Sequence, residues 1–199
     1  MTEKRYGNLK FIGNCNDIID WNKLIVELDN QEPDHISPRH EPGIDSEENV
    51  PGLDDVFSPL RSAGWKKKHE GGSASWDVYM PSQFDNSIIE KFKDFVGLKE
   101  SIYAWISVIN PGYYAPWHND ITSHKETLEY ELHKTKTGEI HRYHCHIGPP
   151  TDGHVFIVEE ECLYKQAQGN VYKWPDRKSW HGGANCGIKR KWLFNIFGI

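Results

Sequence analysis

Short apolar segments separated by turn residues dominate the second half of the chain. After Gly97 they read, in order, IYAWISVI, RYHCHI, HVFIVEEECLY, GNVYKW and KWLFNIFGI. Segments of this length, rich in β-branched and aromatic side chains, are typical of strands. The sequence between them has no helical pattern long enough to alternate with the strands. This favours an antiparallel sandwich or closed sheet over a parallel α/β sheet.

The first 100 residues have a mixed pattern. Residues 16–30 carry apolar side chains at helical spacing behind Asn16 or Asp17 as a cap, and residues 85–96 repeat that pattern behind an Asp/Asn cap. Residues 76–80 predict a strand. Residues 31–62, rich in Pro, Gly and acidic side chains, predict a long surface loop that is either a binding element or disordered. We expect a mainly β fold with flanking helices, in which a helical and loop scaffold over 1–100 packs on a core over 101–199 in one structural domain.

Composition narrows the class of protein. The 199 residues fit one domain, and a net charge of −6 with a pI near 6.0 argues against a nucleic-acid surface built on net positive charge. No apolar run approaches the roughly 20 residues of a membrane span, and the opening MTEKRYGNLK lacks the apolar stretch of a signal peptide. The four cysteines form no CxxC pair, so we expect reduced thiols. We therefore expect a cytoplasmic protein without nucleic-acid or membrane partners, and the oligomeric state stays open.

A candidate metal site begins at His118-Asn119-Asp120, which follows a predicted strand and a Pro-Gly turn. In an extended chain, His118 and Asp120 share one face. His181, in SWHGGANCG, is the best candidate for a third ligand. Two histidines and one carboxylate that leave adjacent positions open are the ligand set of non-haem Fe(II). The alternative is that such polar residues simply lie on the surface.

A second group of histidines lies in GEIHRYHCHIGPP. As a strand, this segment places Arg142, His144 and His146 on one face and His141, Tyr143 and Cys145 on the other. The first face is either a polar wall beside the metal or a solvated strand surface.

Together these segments resemble the Fe(II)/2-oxoglutarate dioxygenases, most closely their aspartyl/asparaginyl β-hydroxylase-like branch. The resemblance spans residues 103–197, through INPGYYAPWHND, RYHCHI, GHVFIV, GNVYKW, and WHGGANCG followed by RKWLF. It implies a double-stranded β-helix, which is a cupin-like jelly roll. It also implies a hydroxylase that uses Fe(II) and the co-substrate 2-oxoglutarate and releases succinate and CO2. The implied substrate is an amino-acid or peptide side chain or a small metabolite.

The same resemblance assigns roles to individual residues. His118, Asp120 and His181 would hold the iron as the catalytic centre, and Arg142 and His144 would line the co-substrate pocket. Four aromatic side chains near the site either keep it dry or belong to the ordinary core: Tyr113, Tyr114, Trp117 and Trp180.

A basic residue nine or ten positions after the distal histidine grips the far carboxylate of 2-oxoglutarate in this family. Arg190 and Lys191 stand at those positions. Neighbouring residues of a strand cannot both face inward, and we expect Arg190 to do so because its guanidinium suits a carboxylate. The insert over 123–140 is longer than in the branch, and we expect it, with the proline-rich segment over 31–55, to flank the mouth of the pocket and govern substrate choice.

Two alternatives remain. His144-Cys145-His146, and His181 with Asn185, are similar to the two metal motifs of the cupins, which share the fold. The glutamate that cupins carry four or five residues after HxH is missing, because Pro150 and Thr151 stand there. A cupin-type metal site would use His144, His146 and His181. The other alternative is a non-catalytic jelly-roll binding protein whose histidines are structural.

Overall fold

The computed structural model describes residues 8–37, 76–118, 140–176 and 179–199, with His118 described through its backbone. Two helices lie in these ranges, α1 (Trp21–Asp29) and α2 (Asn86–Val96), with a short 3-10 turn at Pro81–Gln83. The strands are β1 (Lys10–Asn14), β2 (His35–Ser37), β3 (Trp76–Tyr79), β4 (Ser101–Ile109), β5 (Tyr114–His118), β6 (His141–His146), β7 (His154–Val158), β8 (Glu161–Tyr164), β9 (Asn170–Lys173), β10 (His181–Asn185) and β11 (Lys191–Gly198).

The strands form two antiparallel sheets. The larger has the order β1-β9-β6-β11-β4-β3-β2, and the smaller has the order β5-β10-β7-β8. From β4 to β11 the chain passes back and forth between the sheets, with β7 and β8 as a hairpin in the smaller one. This is the winding of a double-stranded β-helix, or jelly roll. The predicted fold class, mainly β with flanking helices, is confirmed.

The outer face of the larger sheet is covered by the two helices. Phe194 of β11 packs against Phe92 of α2 with ring centroids 4.8 Å apart and against Trp21 of α1 at 5.8 Å. Alternate residues of β6 join this core, namely Tyr143 and Cys145. Burying each large apolar side chain contributes about 1.5–3 kcal/mol, so this layer anchors the helices to the sheet.

The inner face of the larger sheet meets the smaller sheet. Trp174, which follows β9, and Leu193 of β11 pack with Phe156 and Val158 of β7. The ring of His144 lies 4.6 Å from that of Phe156, so β6 directs it into the space between the sheets. The predicted division of β6 into two faces is therefore correct.

The helix starts follow local capping. The side chain of Asp85 accepts the backbone N–H of Ser87 at 2.8 Å and caps the start of α2, and Gly97 with φ 76° caps its end. Helix α1 begins later than predicted, because Asp20, rather than Asn16 or Asp17, is its cap and accepts the N–H of Lys23 at 3.0 Å.

Several strands differ from the sequence prediction. HVFIVEEECLY is two strands, which reverse at Glu159 with φ 51°. β1, β2, β5 and β10 lie outside the predicted strand segments, and β2 lies inside the expected 31–62 loop. Residues 38–62 and 123–139 lie outside the described ranges, so their predicted roles stay predictions, as does the division of the chain near residue 100. Within the described ranges, neither helix has the length and apolar character needed to cross a bilayer.

Candidate active site

The smaller sheet places two of the three predicted iron ligands at paired positions. In the antiparallel pair β5–β10, His181 is the direct partner of His118. Directly paired positions belong to the same face of a sheet, so the backbone alone brings these two positions together. His181 is the first residue of β10. Asp120 lies outside the described residues.

The surroundings of His181 suit a metal-binding imidazole. The side chain is buried, and its Nδ1 lies 3.3 Å from the backbone carbonyl of Ser179. A carbonyl at one ring nitrogen orients the ring and directs the other nitrogen toward a metal. Trp174 packs against the ring with centroids 4.6 Å apart. A histidine held in this way fits a metal ligand through Nε2.

His144 is held in one tautomer by Trp174. The indole N–H of Trp174 donates to Nδ1 of His144 at 2.9 Å. Because an indole only donates, Nδ1 carries the lone pair and the proton of the neutral ring is on Nε2. Burial, with the positive charges of Arg142 and Lys191, holds the pKa of His144 well below its usual range. His144 therefore presents a neutral N–H donor whose Nε2 makes no hydrogen bond to the described part of the protein.

Arg142 lies in an aromatic environment at the neighbouring inward position of β6. Its guanidinium carbon is 3.5 Å from the ring centroid of Trp174, 4.9 Å from that of Phe197 and 5.5 Å from that of Trp105. Cation–π contacts of this kind offset part of the cost of burying the charge. Arg142 and His144 thus share the interior, as the sequence predicted.

Arg190 and Lys191 point in directions opposite to those expected from the sequence. Arg190 points to the helix side of the larger sheet, where it donates to Asp29 at 2.6 Å, to Asn110 at 2.9 Å and to Asp77 at 3.4 Å. Lys191, the first residue of β11, is the one that points inward. The preference for Arg190 as the interior cation is corrected, because antiparallel pairing with β4 sets Lys191 opposite Ile109 with its side chain inward.

Lys191 is almost fully buried, with 1% of its surface exposed. Its ammonium donates to the backbone carbonyl of Val155 and lies 5.1 Å from the ring centroid of Phe156. A Cβ at Gly183 would come within 2.9 Å of Nζ, so the glycine makes room for the ammonium. Burial lowers the pKa of Lys191 to about 7. The described residues offer this cation no carboxylate partner.

The histidines that a cupin-type site would use are not gathered into one ligand set. Within the described ranges, no three His, Cys, Asp or Glu side chains come together as metal ligands, although His144, His146 and His181 are all described. Phe156 and Trp174 contact the rings of both His144 and His181. This arrangement disfavours that particular set and leaves the His118, Asp120 and His181 set as a prediction.

The aromatic residues chosen from the sequence are not the ones that line the interior. Trp117 and Trp180 are 50% and 43% exposed, and Tyr113 and Tyr114 are half-buried. The interior rings around His144 and Arg142 come instead from other strands: Trp105, Phe156, Tyr172, Trp174 and Phe197. The alternation of side chains along each strand could have identified these rings from the sequence. They face the space between the sheets, as His144 and Arg142 do.

A surface cavity of about 480 Å³ lies elsewhere, at the start of α1. It is lined by residues 16–22, Lys91 and Gln168. None of the predicted site residues lines it, so it is separate from the candidate active site.

Neither protein-family models nor curated proteins match this chain. Among solved structures, it is similar to a viral collagen prolyl hydroxylase from Paramecium bursaria Chlorella virus-1, at 12% identity and a TM-score of 0.40, covering 73% of this chain and 82% of that chain. It is also similar to a prolyl-4-hydroxylase from Pseudomonas putida, at 12% identity and a TM-score of 0.35, covering 78% and 96%. A cupin domain from Bordetella pertussis Tohama I matches at 12% identity and a TM-score of 0.33, covering 49% and 81%. At these scores the matches do not separate an oxygenase from a cupin.

Proposed function

We propose that this protein is an Fe(II)- and 2-oxoglutarate-dependent oxygenase that hydroxylates an amino-acid or peptide side chain or a small metabolite. The observation that carries the proposal is Lys191, a buried cation inside a jelly roll, without a carboxylate partner in the described residues. A buried cation of this kind is costly unless it meets an anion. A dicarboxylate co-substrate supplies that anion.

The iron would be held by His118, Asp120 and His181. Support comes from the pairing of positions 118 and 181 across β5 and β10, and from the Ser179 carbonyl that orients His181. Fe(II) held by these residues would, with 2-oxoglutarate and oxygen, support oxidative decarboxylation to succinate and CO2 together with hydroxylation of a C–H bond. An open ligand position beside two histidines and a carboxylate is what that chemistry needs.

The other interior side chains bind and orient the co-substrate. Lys191, rather than Arg190, would hold its distal carboxylate. Nε2–H of His144 and the guanidinium of Arg142 would serve the end nearer the metal, because both side chains contact Trp174, which packs against His181. The rings of Phe156 and Trp174 pack around these groups and exclude water.

The test is anaerobic addition of Fe(II) and then 2-oxoglutarate to the metal-free protein. We expect a weak visible charge-transfer band, and we expect Asp120→Ala to remove it together with iron-dependent decay of 2-oxoglutarate. Asp152→Ala is the matched control, because Asp152 lies on the surface paired with Lys165 at 3.0 Å. A parent protein without the band, or an Asp120→Ala variant with full turnover, would overturn the proposal. The cytoplasmic location and the absence of nucleic-acid and membrane partners stay predictions.

A further inference from the structure

Two of the four cysteines lie against each other on the helix side of the larger sheet. The sulfurs of Cys15 and Cys145 are 3.8 Å apart, and the two residues are 1% and 0% exposed. Cys145 belongs to β6, whereas Cys15 directly follows β1, so the pair joins parts of the chain that are 130 residues apart. The sulfurs of a disulfide are about 2.05 Å apart, so these two need to approach each other by about 1.8 Å.

The backbone around Cys15 is the part that can make this movement. β6 is paired on both sides, with β9 and β11, whereas β1 lies at the edge of the sheet. The backbone N–H of Cys15 donates to the carbonyl of Gly169 at 2.9 Å, and the carbonyl of Cys15 accepts from the N–H of Ile18 at 3.1 Å, in the turn before α1. A turn at a sheet edge adjusts more readily than a strand held on both sides. A bond between the sulfurs would therefore tie the start of α1 to the centre of the sheet.

The two thiols differ in the way that disulfide formation requires. A hydrogen bond from the thiol of Cys145 stabilises the thiolate of Cys15 and, together with the indole of Trp21, lowers the pKa of Cys15 in spite of its burial. Burial raises the pKa of Cys145 well above its usual range, so Cys145 remains the thiol of the pair. The thiolate is the form that reacts with oxidants. Cys15 is therefore suited to react first, and Cys145 to resolve the product.

The surface cavity of about 480 Å³ at the start of α1 lies next to this pair. Its lining includes Asn16, which follows Cys15 in the chain, and Trp21, whose indole acts on the sulfur of Cys15. Ile18 also lines the cavity and is 41% exposed. Because Cys15 is buried behind these residues, a small oxidant can reach its sulfur with less movement of the turn than a bulky reagent needs.

We propose that Cys15 and Cys145 are a modification site at which hydrogen peroxide, arriving through this cavity, forms a reversible disulfide. The thiolate of Cys15 attacks one peroxide oxygen, the O–O bond breaks, hydroxide leaves, and the sulfur becomes a sulfenic acid. The sulfur of Cys145 then attacks that of Cys15, and the sulfenic oxygen leaves as water with the proton of the Cys145 thiol. Two thiols are oxidised and one peroxide is reduced to two waters. A dithiol reductant reverses the change by thiol–disulfide exchange.

The experiment uses the Cys162→Ala/Cys186→Ala protein, which lacks the two exposed thiols and keeps the buried pair. The protein is reduced, kept free of metal with a chelator, and treated in its native state with hydrogen peroxide. We expect intact-mass measurement to show the loss of two hydrogens. The unfolded product should titrate no thiols until a dithiol reductant restores both. It should also run faster than the reduced chain on a denaturing gel, because the bond closes a loop of 130 residues.

A variant in the cavity tests the route of the oxidant. Ile18→Trp narrows the cavity beside Cys15, and we expect it to slow disulfide formation severalfold. Val26→Trp is the matched control, because Val26 is 62% exposed on α1 and does not line the cavity, and its rate should equal that of the parent. Equal rates in the two tryptophan variants would overturn the inference.

The order of the two thiols is tested by Cys145→Ala in the protein without exposed thiols. We expect Cys15 to stop at the sulfenic acid in this variant, where dimedone traps it. Absence of any oxidation at Cys15 would contradict the proposed order. In the protein that keeps the pair, thiols that stay free, oxygen added without loss of two hydrogens, or disulfides only between two chains would also overturn the inference. None of these outcomes depends on iron, so they leave the proposed function to its own test.

Discussion

Trp174 and His144 form a buried hydrogen bond in which the indole N–H donates to Nδ1 over 2.9 Å. This bond joins β6 to the residue that follows β9, and it sets which nitrogen of His144 faces the interior as a donor. A change at Trp174 should therefore alter both stability and the protonation pattern of His144.

We expect Trp174→Phe to lower the free energy of unfolding by about 1–3 kcal/mol, because a buried acceptor loses its donor. Denaturant unfolding measures this change. Nitrogen NMR of the labelled imidazole should show one tautomer in the parent and a mixture in the variant. Trp180→Phe is the control, since Trp180 is 43% exposed and its loss should cost within about 0.5 kcal/mol. A single unchanged tautomer in Trp174→Phe would show that another group holds the ring.

Gly183→Ala should displace the ammonium of Lys191, because the added Cβ would lie 2.9 Å from Nζ and 3.2 Å from the Val155 carbonyl. We expect about tenfold weaker binding of glutarate to the metal-free protein, equivalent to about 1.4 kcal/mol. Gly148→Ala is the matched control, since its Cβ would make only ordinary contacts with Trp192 from 3.5 Å. Equal affinities in the two variants would contradict a role for Lys191 in binding the anion.

Lys191→Met should be more stable than the parent at pH 7, with the difference shrinking as the pH approaches 10. The pKa of Lys191 in the folded protein is about 7, whereas the ordinary pKa of a lysine is 10.5. Between these pH values the unfolded chain binds more protons than the folded protein. The free energy of unfolding of the parent therefore rises with pH, by at most about 1.4 kcal/mol per pH unit. Urea unfolding across this range measures the difference.

The control for this series is Arg190→Met. Arg190 forms ion pairs with Asp29 and Asp77 on the other face of the sheet, and its loss should cost about 1 kcal/mol or less at every pH in the window. A Lys191→Met difference that stays constant with pH would mean that Lys191 is protonated throughout.

Two of the four cysteines should react quickly with a thiol reagent and two slowly. Cys162 and Cys186 are exposed, whereas Cys15 and Cys145 are buried with their sulfurs 3.8 Å apart. Burial also raises the pKa of the Cys145 thiol, which slows its reaction further. We expect a thiol reagent to titrate two groups quickly in the native protein and four after unfolding. A fast third thiol would indicate opening of the contact between the β1–α1 turn and β6.

The sequence alone determined the elements whose pattern is local. The cap at Asp85 and the apolar spacing behind it predicted α2 almost to the residue, because capping and helical periodicity need no distant partner. The two faces of β6 were also readable, since alternation is intrinsic to an extended chain. These features, with the spacing of the strand segments, sufficed for the fold class.

Only the tertiary structure decided which positions meet. β10 reads HGGAN, and its glycines hide the strand pattern, yet its pairing with β5 places position 181 opposite position 118. The tertiary structure also decided which of Arg190 and Lys191 faces the interior, because a shift of one residue in strand register reverses the face of every side chain in a strand. The register of β11 against β4 made that choice and placed Lys191 in the interior, with Arg190 beside Asp29 on the helix side.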